Sequence, residues 1–174
     1  MDIREQLSQF IAAQCGDGIL REETFREQQS FYVRPEVLLD TCQALKEHES
    51  LKVNFLADIT VVDWLGDEYE SAYGRFEVVY NLYSLEHSYR FFLKVFLPAD
   101  KPELASLTPI WNGANWMERE VWDLFGVTFV GHPDLTKILT PDDLEGHPLR
   151  KDFPLTYEQP HFTHNKDLPP EVIR

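Results

Sequence analysis

The sequence predicts an α+β fold: a mostly antiparallel sheet with helices packed on one face, followed by a signature helix and an extended proline-rich C-terminal arm. Three observations predict it. Apolar residues recur at helical spacing in two early segments, they alternate with polar residues at period two through the middle third, and seven prolines interrupt the chain beyond Gly131. The corresponding division is an α+β domain over 1–131, signature helix included, and an arm over 132–174.

The first helix is carried by Ile3, Leu7, Phe10 and Ile11 and ends near Gly16-Asp17-Gly18. That glycine pair stops a helix; with no third glycine and no preceding strand it is no dinucleotide fingerprint. From Ile19 to Val33 two short strands are joined near Gln28-Gln29, with Phe25, Phe31 and Val33 facing inward. Pro35 suits the first turn of the next helix, whose buried stripe is Leu38, Cys42 and Leu45 up to about His48. His48, near the helix C-terminus, is expected to be solvated.

In the middle third, Val53, Phe55, Ala57, Ile59 and Val61 alternate with Asn54, Asp58 and Thr60. Phe76, Val78, Tyr80 and Leu82 alternate with Arg75, Glu77 and Asn81, and Tyr89, Leu93 and Val95 with Arg90 and Lys94. The acidic stretch Gly66–Gly74 reads as a loop, and the short link Ser84–Ser88 as a hairpin. Phe91, Phe92 and Phe96 place aromatics on both faces of the third strand, so its second face should be covered by a helix or a partner. After Pro98 the chain leaves the sheet.

The segment Trp111–Leu155 is the densest in anchors and charge. A helix is expected at about 112–125, capped by Asn112 or Asn115 and stopped by Gly126. At ~100° per residue, Met117, Val121, Leu124 and Phe125 share an arc, with Arg119, Glu120 and Asp123 opposite and Arg119 paired along the helix with Asp123. Glu118 falls on the apolar face, where a carboxylate must find a partner or lose its charge. The arm, roughly 40 residues without regular elements, is expected to lie along a neighbour rather than fold on itself. Leu149, Phe153, Leu155, Tyr157 and Phe162 are its anchors.

Composition narrows the classes. With 43% hydrophobic and 13% aromatic residues a core is assured, and a formal charge of −14 disfavours nucleic acid and anionic lipid as partners. No apolar run reaches the ~18 residues of a membrane span, and the start MDIREQ is neither a secretory signal nor a transit peptide. Cys15 and Cys42 are too few for an iron–sulfur or zinc site and read as reduced, buried thiols. His132, Asp134, His147 and Asp152, or His161, His164 and Asp167, supply metal-ligand types without a tight ligand spacing. Neither a nucleophile elbow nor a phosphate-binding loop is present, and Glu118 and Glu120 point ~200° apart. The residues describe an interface with aromatic anchors and charged pairs rather than a self-contained active site.

Glu118-Arg119-Glu120-Val121-Trp122-Asp123-Leu124-Phe125-Gly126, then Gly131-His132-Pro133-Asp134-Leu135, then Glu145-Gly146-His147-Pro148-Leu149-Arg150-Lys151-Asp152-Phe153-Pro154-Leu155 closely resemble the signature of the C subunit of respiratory complex I, the thirty-kilodalton-type subunit of NADH:quinone oxidoreductase. Thr136-Lys137 departs from the two arginines common in that family, replacing a planar fork with a point charge. Trp122 stands where tyrosine or phenylalanine is commoner.

The resemblance implies a peripheral, cofactor-free scaffold subunit on the cytoplasmic side of the bacterial inner membrane. It would be seated beside the quinone-site large subunit and the iron–sulfur subunits, with FMN, iron–sulfur clusters and quinone held by other chains. The expected interface residues are Trp116, Glu118, Arg119, Glu120, Asp123, His132, Asp134, His147, Arg150, Asp152 and Phe153. The corresponding subunit of a membrane-bound hydrogenase or ferredoxin-type reductase is the alternative the signature leaves open.

Overall fold

A computed structural model of the chain describes residues 2–155. Its element order is α1 (Ile3–Cys15), β1 (Ile19–Phe25), β2 (Gln28–Val33), α2 (Pro35–Glu47), β3 (Phe55–Asp63), α3 (Glu68–Tyr73), β4 (Phe76–Ser84), β5 (Tyr89–Leu97), β6 (Glu103–Ala105), α4 (Ala114–Phe125) and β7 (Thr128–Val130). Strands β1-β2-β5-β4-β3 form one sheet, antiparallel at every junction except β2 beside β5. The predicted α+β class, with a mostly antiparallel sheet, is what the chain adopts.

One sheet face carries the core. Phe31 and Val33 of β2, Ile59 and Val61 of β3, Phe76, Val78, Tyr80 and Leu82 of β4, and Phe91, Leu93 and Val95 of β5 form one cluster with apolar residues of α1, α2 and α4. Leu7 and Ile11, then Leu38, Cys42 and Leu45, are the buried stripes predicted for the first two helices. Each such fully buried aliphatic or aromatic side chain contributes roughly 1.5–3 kcal/mol relative to exposure. Cys15 and Cys42 are buried and unbridged, and burial pushes both thiols up.

Local departures have local causes. The first hairpin turns at Arg26-Glu27, both left-handed at φ 48° and 68°, not at Gln28-Gln29, and Phe25 beside the turn is therefore exposed. In β3 a bulge between Leu56 and Asp58 shifts the phase. Leu56 joins Ile59 and Val61 inside, and Phe55, expected inside, faces out. His48 is partly buried rather than solvated: its ring meets Phe10 edge-on and its Nδ1 accepts from the Ser50 and Leu51 N–H groups.

The acidic stretch read as a loop contains α3. Asp67 caps it by accepting from Tyr69 N–H at 3.1 Å, and Gly74 ends it at φ 130°, where a Cβ would meet the Leu97 carbonyl oxygen at 2.6 Å. Tyr69 and Tyr73 stack on Phe96, so a helix covers that part of the second sheet face. After Pro98 the chain makes a second, two-stranded sheet in which β6 runs parallel to β7. Three-residue strands carry too little alternation to be read from sequence.

Candidate functional site

Helix α4 starts later than expected and without an asparagine cap. Gly113 occupies the N-cap position with no side-chain bond, and the helix is entered through a turn closed by Ala114 N–H on the Trp111 carbonyl at 2.9 Å. Its end is as predicted: Gly126 is left-handed at φ 74° and donates its N–H to the Trp122 carbonyl. The last turn of a helix leaves carbonyls without internal partners. Here residues 132–153, a strap lying on the domain itself, supply the remainder. His147 Nδ1–H donates to the Asp123 carbonyl at 2.9 Å, Leu149 N–H to that of Leu124 at 3.1 Å, and Arg150 Nε–H to that of Phe125. A Cβ on Gly126 would lie 2.4 Å from both His147 Nε2 and Arg150 Nη2, so glycine is required by space as well as by φ.

Side chains of α4 complete the attachment. Asp123, expected on the solvent side and paired with Arg119, is instead buried. Its Oδ2 accepts from the backbone N–H groups of Ile138, Leu139 and Thr140 at 2.9–3.1 Å, and its Oδ1 from the Thr140 hydroxyl. Burial alone would raise this carboxyl; the four donors hold it below the usual range. Arg119 turns to the strap as well, donating to the Thr136 carbonyl at 3.0 Å and hydroxyl at 2.8 Å, with its guanidinium 5.0 Å over the Trp116 ring. Lys137 uses its point charge on the Leu144 and Pro141 carbonyls at 2.6 and 3.1 Å. The proline-rich segment thus folds back on its own chain because it is given directional partners that composition does not reveal.

The far end of the strap is clamped by residues outside the signature. Arg75 makes two forks: Nε and Nη2 to the Asp63 carboxylate, each at 2.9 Å, and Nη1 and Nη2 to Asp152 at 3.0 and 2.7 Å. Lys151 N–H adds a bond to Asp63 at 2.9 Å. Although burial opposes it, this set holds the Asp63 carboxyl at about 2, and Arg75 also lowers Asp152. Neither Asp63 nor Arg75 stands out as a site residue in the sequence. One signal was present: Asp63 falls in the same inward phase as Ile59 and Val61, where a charge demands a partner.

Glu118 is fully buried, as its place on the apolar face predicts. Ser106 Oγ–H and Leu107 N–H donate to its two oxygens, each at 2.6 Å. Two neutral donors do not offset burial, which pushes the carboxyl up to about 7. Of the other predicted residues, His132 accepts from Asp134 N–H at Nδ1 and so donates from Nε2 to the Asn115 carbonyl at 3.1 Å. The Asp134 side chain and Glu120 are solvent-facing, and Phe153 is partly buried over Gly146. Leu149 and Leu155 are exposed. Tyr157, His161, Phe162, His164 and Asp167 lie outside the described residues. Among the described residues no group of three or more His, Cys, Asp and Glu side chains is placed to hold a metal ion, and no helix is long and apolar enough to cross a membrane.

Fold and site together define an α+β domain in which helix α4 is capped and covered by a polar strap. Residues 31–159 match the family model described as respiratory-chain NADH dehydrogenase, 30 Kd subunit, and the chain belongs to this family. It is 46% identical to the C subunit of the NADH-quinone oxidoreductase of Roseiflexus sp. (strain RS-1) over 157 residues, 90% of this chain and 87% of that one. The solved trypsin-resistant fragment of Nqo5 superposes with a TM-score of 0.63 at 34% identity, covering 78% of this chain and all of the fragment. A chain in an archaeal respiratory membrane complex, the membrane-bound sulfane sulfur reductase, gives a TM-score of 0.71 at 27% identity, over 88% of this chain and 86% of that one. The family expected from the signature residues is thereby established.

Proposed function

We propose that this chain is a cofactor-free scaffold subunit of the hydrophilic arm of a proton-translocating NADH:quinone oxidoreductase. It supports the quinone-site subunit while electrons pass from NADH through FMN and iron–sulfur clusters, all held by other chains, to quinone. The observation that carries this reading is the use of the signature's polar groups. Arg119, Asp123 and His147 bond to backbone within the chain, and Asp152 is held by Arg75 from outside the signature, so the signature builds a shape. Around that shape Trp116, Val130, Leu139 and Leu149 are left exposed, as aromatic and aliphatic anchors for a neighbour would be. The chain reaches the cytoplasmic face of the membrane through its partners.

A second reading rests on the likeness to the sulfane sulfur reductase chain: the same scaffold in a related membrane complex with another electron donor. Purification of the tagged chain from native membranes in gentle detergent, with mass spectrometry of partners and flavin and iron assays, separates the two. Recovery with the quinone-site, flavin and iron–sulfur chains supports the first reading. Recovery with hydrogenase-type or sulfur-reductase-type chains supports the second, and recovery alone refutes both.

A further inference from the structure

Once the helix end and the Asp63–Arg75–Asp152 clamp are accounted for, Arg150 of the strap has no ion-paired acid among the described residues. It donates Nε–H to the Phe125 carbonyl and lies 5.1 Å over the Phe76 ring, but no described carboxylate forms an ion pair with its Nη groups. Asp63 and Asp152, the acids whose fields favour its charge, are both already held in forks by Arg75, itself a cation that disfavours it. The guanidinium is half-buried, so its charge is screened less than that of a surface arginine.

The space beside it is open. A cleft of about 330 Å³ is lined by Glu145, Gly146, His147, Arg150, Asp152, Phe153 and Pro154; of its two acids, Glu145 is exposed and Asp152 is held by Arg75. Gly146 turns the chain at φ 88°, and a Cβ there would press on the Phe153 ring at 3.2 Å, so ring and bare backbone meet closely at this wall. His147 has already used Nδ1 on the Asp123 carbonyl, and Nε2 approaches the Arg150 Nη2 side of Gly126. Exposed Leu149 and Leu155 neighbour these residues in sequence. In a chain of formal charge −14, an arginine with no direct ion pair among the described residues, beside a phenylalanine and a proline, is a place where a partner's acid can be received. Such a pairing sets register between subunits.

We propose that this cleft is the socket for one aspartate or glutamate side chain of the adjoining subunit, paired fork to fork with Arg150 and flanked by Phe153. The inference rests on the reading of the chain as a subunit of a larger complex and adds the chemistry of one contact. It is tested in the assembled complex purified from native membranes carrying Arg150→Lys. A water-soluble carbodiimide joins an amine to a carboxylate in contact with it, and peptide mass spectrometry identifies both ends. The expected result is an amide between the introduced amine and an acid of another subunit, absent from the unsubstituted complex. A parallel Arg150→Gln complex should retain about tenfold less of the chain after a high-salt wash. An amide formed only within this chain, or none while the chain stays in the complex, overturns the socket and leaves the scaffold reading standing. A chain recovered without other subunits overturns the scaffold reading and the socket with it.

Discussion

The sheet core and the strap are held by opposite means. The core cluster beneath α1, α2 and α4 is apolar burial, non-directional and spread over many side chains. The strap over 132–153 has no regular elements; a few charged side chains grip backbone atoms or one another with defined geometry. The first kind of region tolerates rearrangement so long as volume and polarity are kept. The second depends on single atoms, and removal of one partner leaves another buried and unsatisfied.

The largest effect is expected where the two regions meet. Arg75→Met leaves the Asp63 carboxylate buried without its cation and releases Asp152, and should lower unfolding free energy by about 3–5 kcal/mol. Asp152→Asn should be milder, because that carboxylate is half exposed. Urea denaturation followed by tryptophan fluorescence checks both. A loss below about 1 kcal/mol for Arg75→Met would place the clamp among ordinary surface pairs and erase the contrast between strap and core.

Glu118, a fully buried carboxylate, has the opposite pH signature to the carboxylates that attach the strap. Its folded value, about 7, stands above the ordinary 4.5, so the unfolded chain ionises first and stability falls as pH rises between these two values. The expected change is on the order of 3 kcal/mol. Asp63, held at about 2, and Asp123 and Asp152, also lowered, contribute stability above the ordinary carboxylate range that is lost as pH falls through their folded values. Glu118→Gln should therefore flatten the stability profile between pH 4.5 and 7 without altering the acid limb below it. An unchanged slope in that window would show that another group sets it.

Asp123→Ala sharpens the comparison from the strap's side. It frees the N–H groups of Ile138, Leu139 and Thr140 and the Thr140 hydroxyl, for a loss of about 1.5–3 kcal/mol if the attachment behaves as one charged acceptor. Amide hydrogen exchange should accelerate at 138–140 and at Leu149, while β4 and β5 keep their protection. Uniform acceleration throughout the sheet would mean that strap and core unfold as one unit.

What could be read in advance follows the same division. Where burial is periodic, as at Leu38, Cys42 and Leu45 or Phe76 to Leu82, the sequence states it openly. One inserted residue at the β3 bulge was enough to misplace Phe55, because period-two reasoning carries no memory of a phase shift. In the strap no periodicity exists to read. The angle of Asp123 on the helix points it to solvent, but the segment folding back turns that face into an interior. The signature residues were recognisable as a set, whereas their pairwise partners were not: Arg119 met Thr136 rather than Asp123, and Arg75 lay outside the signature altogether.

The smallest expected effect on the isolated chain is the most informative about partners. Trp116 is 64% exposed, and its ring lies 5.0 Å from the Arg119 guanidinium, a contact of about 0.5–1 kcal/mol at an exposed site. Trp116→Ala should therefore shift the urea midpoint little. If the ring is an anchor for a neighbouring subunit, the same substitution removes a large apolar surface from a desolvated interface, where such residues commonly contribute about 2 kcal/mol or more. Recovery of partner chains should then fall at least about tenfold in a gentle-detergent purification, while the variant's own unfolding stays nearly unchanged. Equal recovery of partners would move the docking face away from the start of α4, toward the strap's exposed Leu139 and Leu149.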